Sequence, residues 1–96
     1  MKKIDIFMEN CFEFQDIVRS NKGFDEVKFE ALCNSIKDLE VDFRKNNCVP
    51  LCVANIFIDL YSAIESCAYR HDEEMKEKIL LAADKIACIA RDITSD

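Results

Sequence analysis

A single glycine, Gly23, and a single proline, Pro50, punctuate the 96 residues of this chain. Tight hairpins, phosphate-cradling loops and flexible lids are built from those two residue types, because only glycine takes left-handed backbone freely and only proline presets a turn. A chain this poor in both has almost no material for β-hairpins or loop-built active sites, and its fold class is expected to be all-α. Half the residues are apolar and a third are charged, enough apolar matter for one core. The reading is a single domain over residues 1–96, with little chain to spare for a large catalytic cleft.

Apolar residues recur at steps of three and four in four segments, which is the spacing that gathers side chains on one helical face. The first spans about residues 3–20, with Ile4, Phe7, Cys11, Phe14 and Val18 as its seam and Met8 and Phe12 widening it. Asn21, Lys22 and Gly23 are expected to end it, the glycine supplying the left-handed turn. The second spans about 26–45, with Phe29, Leu32, Ile36, Leu39 and Phe43 on one face. Asp25 is placed to cap its start, and Phe24 and Phe29 have the positions of a hydrophobic staple. The third, about 50–69, opens on Pro50 in its first turn and is apolar nearly all round. Its polar residues Asn55, Asp59, Ser62 and Ser66 cover only about 60° of the wheel. Such a helix is expected either to be the most buried of the four, with Asn55 and Asp59 partly buried and bonded, or to show apolar surface to a partner. The fourth, about 73–93, is capped by Asp72 and carries Met75, Ile79, Ala82, Ile86, Ile89 and Ile93 as its seam, with Ala83, Ala87 and Ala90 allowing close approach. Connections this short force neighbouring helices to run in opposite directions. The predicted architecture is an up-down-up-down antiparallel four-helix bundle, with Phe14, Leu39 and Ile86 at the centres of their seams.

Two lysines near the start, Lys2 and Lys3, are followed by Asp5 and Glu9, where a signal peptide needs uncharged apolar residues. The longest apolar run, Leu51 to Ile64, is broken by Asn55 and Asp59 and is shorter than the ~20 apolar residues of a spanning helix. A cytoplasmic location is therefore expected, and with it reduced thiols for all six cysteines. Cys11, Cys33, Cys52, Cys67 and Cys88 fall inside helical patterns and read as small apolar side chains. Cys48 and Cys52 form one C-x-x-x-C pair with no second pair at zinc spacing, so neither a metal site nor a cofactor is expected.

The chemistry of catalysis finds few candidates. His71 is the only histidine and falls in the turn before the fourth helix, where it reads as part of a cap or as solvated. Glu-x-x-His pairs of the di-iron bundles and glycine-rich phosphate loops are lacking. The chain is expected not to be an enzyme.

Charge is the stronger signal. The net charge is −6, which disfavours direct contact with nucleic acid or anionic membrane. Residues 5 to 42 contain ten acids and four bases, so this stretch alone holds a balance equal to that of the whole chain. Asp5, Glu9, Glu13 and Asp16 lie within about 80° on the first helix, opposite its seam. Glu9 and Glu13 repel one another one turn apart, with no lysine or arginine three or four positions away. These four, with Glu26 and Glu30 of the second helix and Asp59 of the third, are the expected partner-binding residues. The pattern points to a small acidic inhibitor of the bacterial immunity or antitoxin kind. It would block a basic toxin or nuclease, its carboxylates standing in for phosphates; a phage inhibitor of a basic nucleic-acid-handling complex has the same features. The alternative is a structural adaptor or secretion chaperone that forms a homodimer through the third helix. A monomer is expected if that helix is merely core.

Overall fold

The computed structural model describes residues 2–20 and 23–95. It is all-α, with five helices among the described residues: α1 (Lys3–Arg19), α2 (Glu26–Lys37), α3 (Glu40–Asn46), α4 (Leu51–Ala68) and α5 (Glu73–Thr94). No strand occurs among the described residues. The particle measures 42 × 27 × 19 Å. α1 packs on α2 and α4, and α5 packs on α2 and α4, so the four long helices close a ring around one core while α3 rests on α5.

Most of the residues read into the seams are buried, while Ile4 and Met75 at the seam ends are half-buried against the core. Phe7, Cys11, Phe14 and Val18 of α1, Phe29, Leu32, Cys33 and Ile36 of α2, and Ile79, Ala82, Ala83, Ile86, Ile89 and Ile93 of α5 all enter the core. Each large side chain fully buried there contributes on the order of 1.5–3 kcal/mol. Phe14 sits at the centre of an aromatic cluster, with its ring 5.9 Å from Phe24 and 5.7 Å from Phe29. The staple residues Phe24 and Phe29 touch each other at 5.5 Å. Asp25 accepts the backbone N–H of Lys28, and Asp72 that of Met75, so both predicted caps form. Gly23 has φ +78 and is buried against Met75, a position where a Cβ would lie 2.9 Å from the Met75 Cε. Asn21 and Lys22, expected to share that turn, lie outside the described residues.

The second predicted helix is two helices. At Asp38 and Leu39 the chain tightens: Leu39 donates its N–H to the Ile36 carbonyl, three residues back instead of four. One turn earlier the buried Ser35 hydroxyl bonds back to the Leu32 carbonyl at 2.7 Å, a contact that bends helices. The overwound turn carries Leu39 fully into the core and sets α3 at its own angle, with Phe43 buried behind it. Asn47, in left-handed conformation (φ 52), ends α3. From α3, Arg44 reaches the far end of α5 and donates to the carbonyls of Asp92 (3.1 Å) and Ser95 (2.8 Å), while its Nε bonds Glu40. Two bonds to the end of α5 thus tie down a short helix that buries only Phe43 of its own seven residues.

Pro50 stands one position outside α4, as its cap. α4 also departs from the expectation that it is the central helix. It buries only Val53, Leu60, Ile64 and Ala68. Asn55 and Asp59, expected to be partly buried, are both exposed. Over its 18 residues α4 has a mean hydropathy of 1.4 and is 28 % buried, so by length and composition it is long and apolar enough to cross a membrane. The apolar run from Leu51 to Ile64, broken by Asn55 and Asp59, is shorter than the helix that carries it, which continues to Ala68. Averaged along the helix, its two carboxylates, Asp59 and Glu65, do not outweigh the aliphatic residues.

Candidate functional site

The outward face of α1 carries the charges that stand out in the sequence. Asp5, Glu9 and Asp16 are exposed there, a consequence of the Phe7/Cys11/Phe14/Val18 seam turning inward and carrying positions on the opposite arc into solvent. Among the described residues Asp5 and Glu9 form no ion pair; Asp16 has a loose one with Arg19, 3.6 Å apart with both side chains largely solvated. Such surface pairs contribute about 0–1 kcal/mol, so Asp16 remains available to a partner.

Glu13 differs from expectation. It is half-buried at the edge facing α2, and its Oε2 accepts from Lys28 Nζ at 3.3 Å. Spacing within one helix could not find that cation, because it is supplied by the neighbouring helix. Glu13 is therefore compensated in the free protein and belongs to the α1–α2 seam. Asn10 lies along the same seam, donating to the Ala31 carbonyl at 3.3 Å.

Glu26 and Glu30 are exposed but occupy the other flank of α2. Glu26 borders a groove with Lys78 and Lys85 of α5, and Glu30 one with Cys33, Lys37 and Lys85. Lys85 also lies 5.7 Å from the Phe29 ring. α2 thus separates Glu26 and Glu30 from the α1 carboxylates and places them among lysines. Asp59 is exposed on α4 and joins neither group. The structure brings together three of the seven predicted residues: Asp5, Glu9 and Asp16.

It adds one that the sequence reading put elsewhere. Phe12, expected to widen the core face, is 55 % exposed. It lies three residues after Glu9 and four before Asp16, so both carboxylates are its helical neighbours. Met8, the other residue expected to widen the seam, is half-buried against the core. The signal that separates them is angular: at 100° per residue Phe12 falls about 130° from the seam centre, beyond what the flanking helices cover.

His71 is committed elsewhere. Its Nε2 lies 2.7 Å from the Val18 carbonyl, so the protonated Nε2 tautomer donates to the C-terminal turn of α1 and ties the α4–α5 connection to it. This histidine takes no part in capping α5, which Asp72 does, and instead satisfies a terminal carbonyl of α1. The six cysteines are unpaired; Cys48, Cys52 and Cys88 are exposed and Cys11 and Cys33 buried. Burial pushes the Cys11 thiol up to about 12 and raises that of Cys33 as well, against the opposing pull of Lys85 and Lys37. No group of three His, Cys, Asp or Glu residues among the described residues is placed to hold a metal ion. No family model, curated protein or solved structure matches the chain.

Proposed function

We propose that this chain is a small acidic, non-enzymatic inhibitor of the bacterial immunity or antitoxin kind, which occludes the basic cleft of a toxin such as a nuclease by stoichiometric binding. The observation that carries this reading is Phe12, 55 % exposed between Glu9 and Asp16. Covering this ring on association would remove apolar surface from water, and an aromatic anchor inside a charged rim is the anatomy of a binding hot spot. Carboxylates flanking a ring suit an arginine in particular, since the guanidinium can pair with Glu9 or Asp16 while lying over the ring face. The net charge of −6 would steer such a cationic partner. It disfavours nucleic acid or anionic lipid as direct ligands, and Asp59 in mid-helix weighs against α4 as a spanning segment.

The fold reading attached to this proposal is the up-down-up-down antiparallel arrangement of α1, α2–α3, α4 and α5. Short connections and the closed ring of packed helices support it. A bundle of this kind holds the α1 face rigid, so little ordering cost falls on association. Unpaired cysteines fit a reducing, cytoplasmic setting. The chemistry proposed is occlusion alone, without metal or cofactor.

The test uses the immobilised chain to capture a basic partner, followed by rate measurements with Glu9→Lys and Phe12→Ala. Glu9→Lys should slow association roughly tenfold, an effect that shrinks as salt rises. Phe12→Ala should speed dissociation. A Glu73→Lys/Glu74→Lys control, at the first turn of α5, should bind as wild type does. A captured partner that binds both α1 variants as tightly as wild type would refute the assignment of this face.

The second reading, a structural adaptor or secretion chaperone, is favoured by one observation: Leu51 is 89 % and Ile58 75 % exposed on α4. Contact through that face should not weaken with salt.

A further inference from the structure

We propose that the outer face of α4 docks on α4 of a second copy of this chain, antiparallel, about a two-fold axis level with Leu60. This rests on the exposure that favours the adaptor reading and is independent of the α1 face.

The face is unusual for this molecule. Leu51, Ile58 and the helix-ending Tyr69 are 89 %, 75 % and 65 % exposed. α4 has only two charged residues in 18, Asp59 and Glu65, on a chain one third charged with a balance of −6. Two copies repel one another through most of their surfaces, and the charge-poor face is where they can approach.

The order of residues along the face selects a copy of itself as occupant. At 100° per residue Leu51, Ile58, Ser62 and Tyr69 fall within an arc of about 40°. An antiparallel pair centred on the level of Leu60 sets Leu51 against Tyr69 of the second copy and Ile58 against Ser62 of the second copy, each contact occurring twice. A large side chain meets a small one near the axis, and apolar pairs close both ends. Asn55 lies on the flank where Ser62 and Ser66 of the second copy also fall, so the polar side chains gather along one edge of the seam. In a parallel pair each residue would oppose itself. Ser62 would then leave a gap. The two Asp59 carboxylates fall on one rim of the antiparallel seam, where solvent and salt screen them from each other. An unrelated partner gives no reason for large and small residues to be matched about one point, and a bilayer gives none for Asn55 and Asp59 on the same face.

The size is adequate for a weak dimer. Eighteen residues at 1.5 Å rise make a helix about 27 Å long. With the adjoining groove between α4 and α5, lined by Tyr61, Ala87, Cys88 and the opposite charges of Asp84 and Arg91, the face is roughly 20 Å wide at ~10 Å per helix. The pair then covers roughly 1,100 Å², just above the ~1,000 Å² that a specific interface needs, which fits reversible association in the micromolar range.

Sedimentation equilibrium of the full chain, from micromolar to millimolar concentration, tests this. Wild type should pass from monomer to dimer, at lower concentration as salt rises, because salt screens the −6 repulsion. That sign is opposite to the one expected for a basic partner on α1, so failure of one assignment is distinguishable from failure of the other. Ile58→Glu, at an exposed position, should keep the circular dichroism of wild type and move dimerisation at least ~tenfold higher in concentration. Mixing Ile58→Glu with Ser62→Lys chains should recover association, since the mixed pair sets the new glutamate against the new lysine. A wild-type monomer throughout the range, an Ile58→Glu protein that dimerises as wild type does, or a mixture no tighter than either variant alone would each overturn the proposal.

Discussion

Phe12 and Phe14 lie two residues apart on α1, and the structure assigns them opposite fates. Phe14 has no exposed surface and contacts the rings of Phe24 and Phe29. Phe12 is 55 % exposed and has no ring contact among the described residues. Phe14→Ala removes a whole ring from a packed cluster, at a typical cost of about 3–5 kcal/mol, within which the lost edge and tilted aromatic contacts account for about 0.5–1.5 kcal/mol per pair. A domain of this length has a total stability of roughly 5–14 kcal/mol, so the variant loses a quarter to most of it. With a urea slope of about 2 kcal/mol per molar, a 4 kcal/mol loss moves the unfolding midpoint down by about 2 M. Phe12→Ala removes a ring already half in water, trades it for a better helix former, and should stay within about 0.5 kcal/mol of wild type. The assay is urea denaturation followed by far-ultraviolet circular dichroism, with both variants measured beside wild type. Comparable losses at the two positions, or a Phe14→Ala cost below about 1 kcal/mol, would refute the assigned faces of α1. The proposed α1 site would fall with them, because it requires a Phe12 that the fold does not use.

Two further outcomes follow from individual contacts. Cys11 has its thiol raised from 9.0 to about 12 by burial; a folded value above the unfolded one means its contribution is intact below pH 9 and lost as pH rises from 9 towards 12. Cys11→Val should therefore flatten the fall in stability over that window, measured by thermal unfolding at successive pH values, while in the native wild type near pH 8 the exposed Cys48, Cys52 and Cys88 should react with a thiol reagent well before Cys11. Arg44→Met removes the bonds to the Asp92 and Ser95 carbonyls from a partly solvated site and should cost about 1 kcal/mol. The loss should appear in hydrogen exchange as reduced protection of α3 and the last turn of α5, with α1 unchanged; uniform loss across the molecule would count against a local clamp.

The sequence alone determined the helical class, the buried seams of α1, α2 and α5, the caps at Asp25 and Asp72, and the left-handed turn at Gly23. Each of these depends on residues within a few positions of one another, and the backbone's 3.6-residue period or a single φ angle enforces it. What lies between helices was beyond its reach. Lys28 neutralises Glu13 from fifteen residues away, and α2 stands between the α1 carboxylates and Glu26 and Glu30. The overwound turn at Leu39 arises where α3 must turn to bury Phe43 and reach α5. The same holds for the two surfaces that carry the functional proposals. Periodicity says that α4 is apolar on nearly every side and that Phe12 lies at the margin of a seam. Whether such residues are core or surface depends on which flanks the neighbouring helices cover, and only the packing of the ring left Phe12, Leu51 and Ile58 facing water.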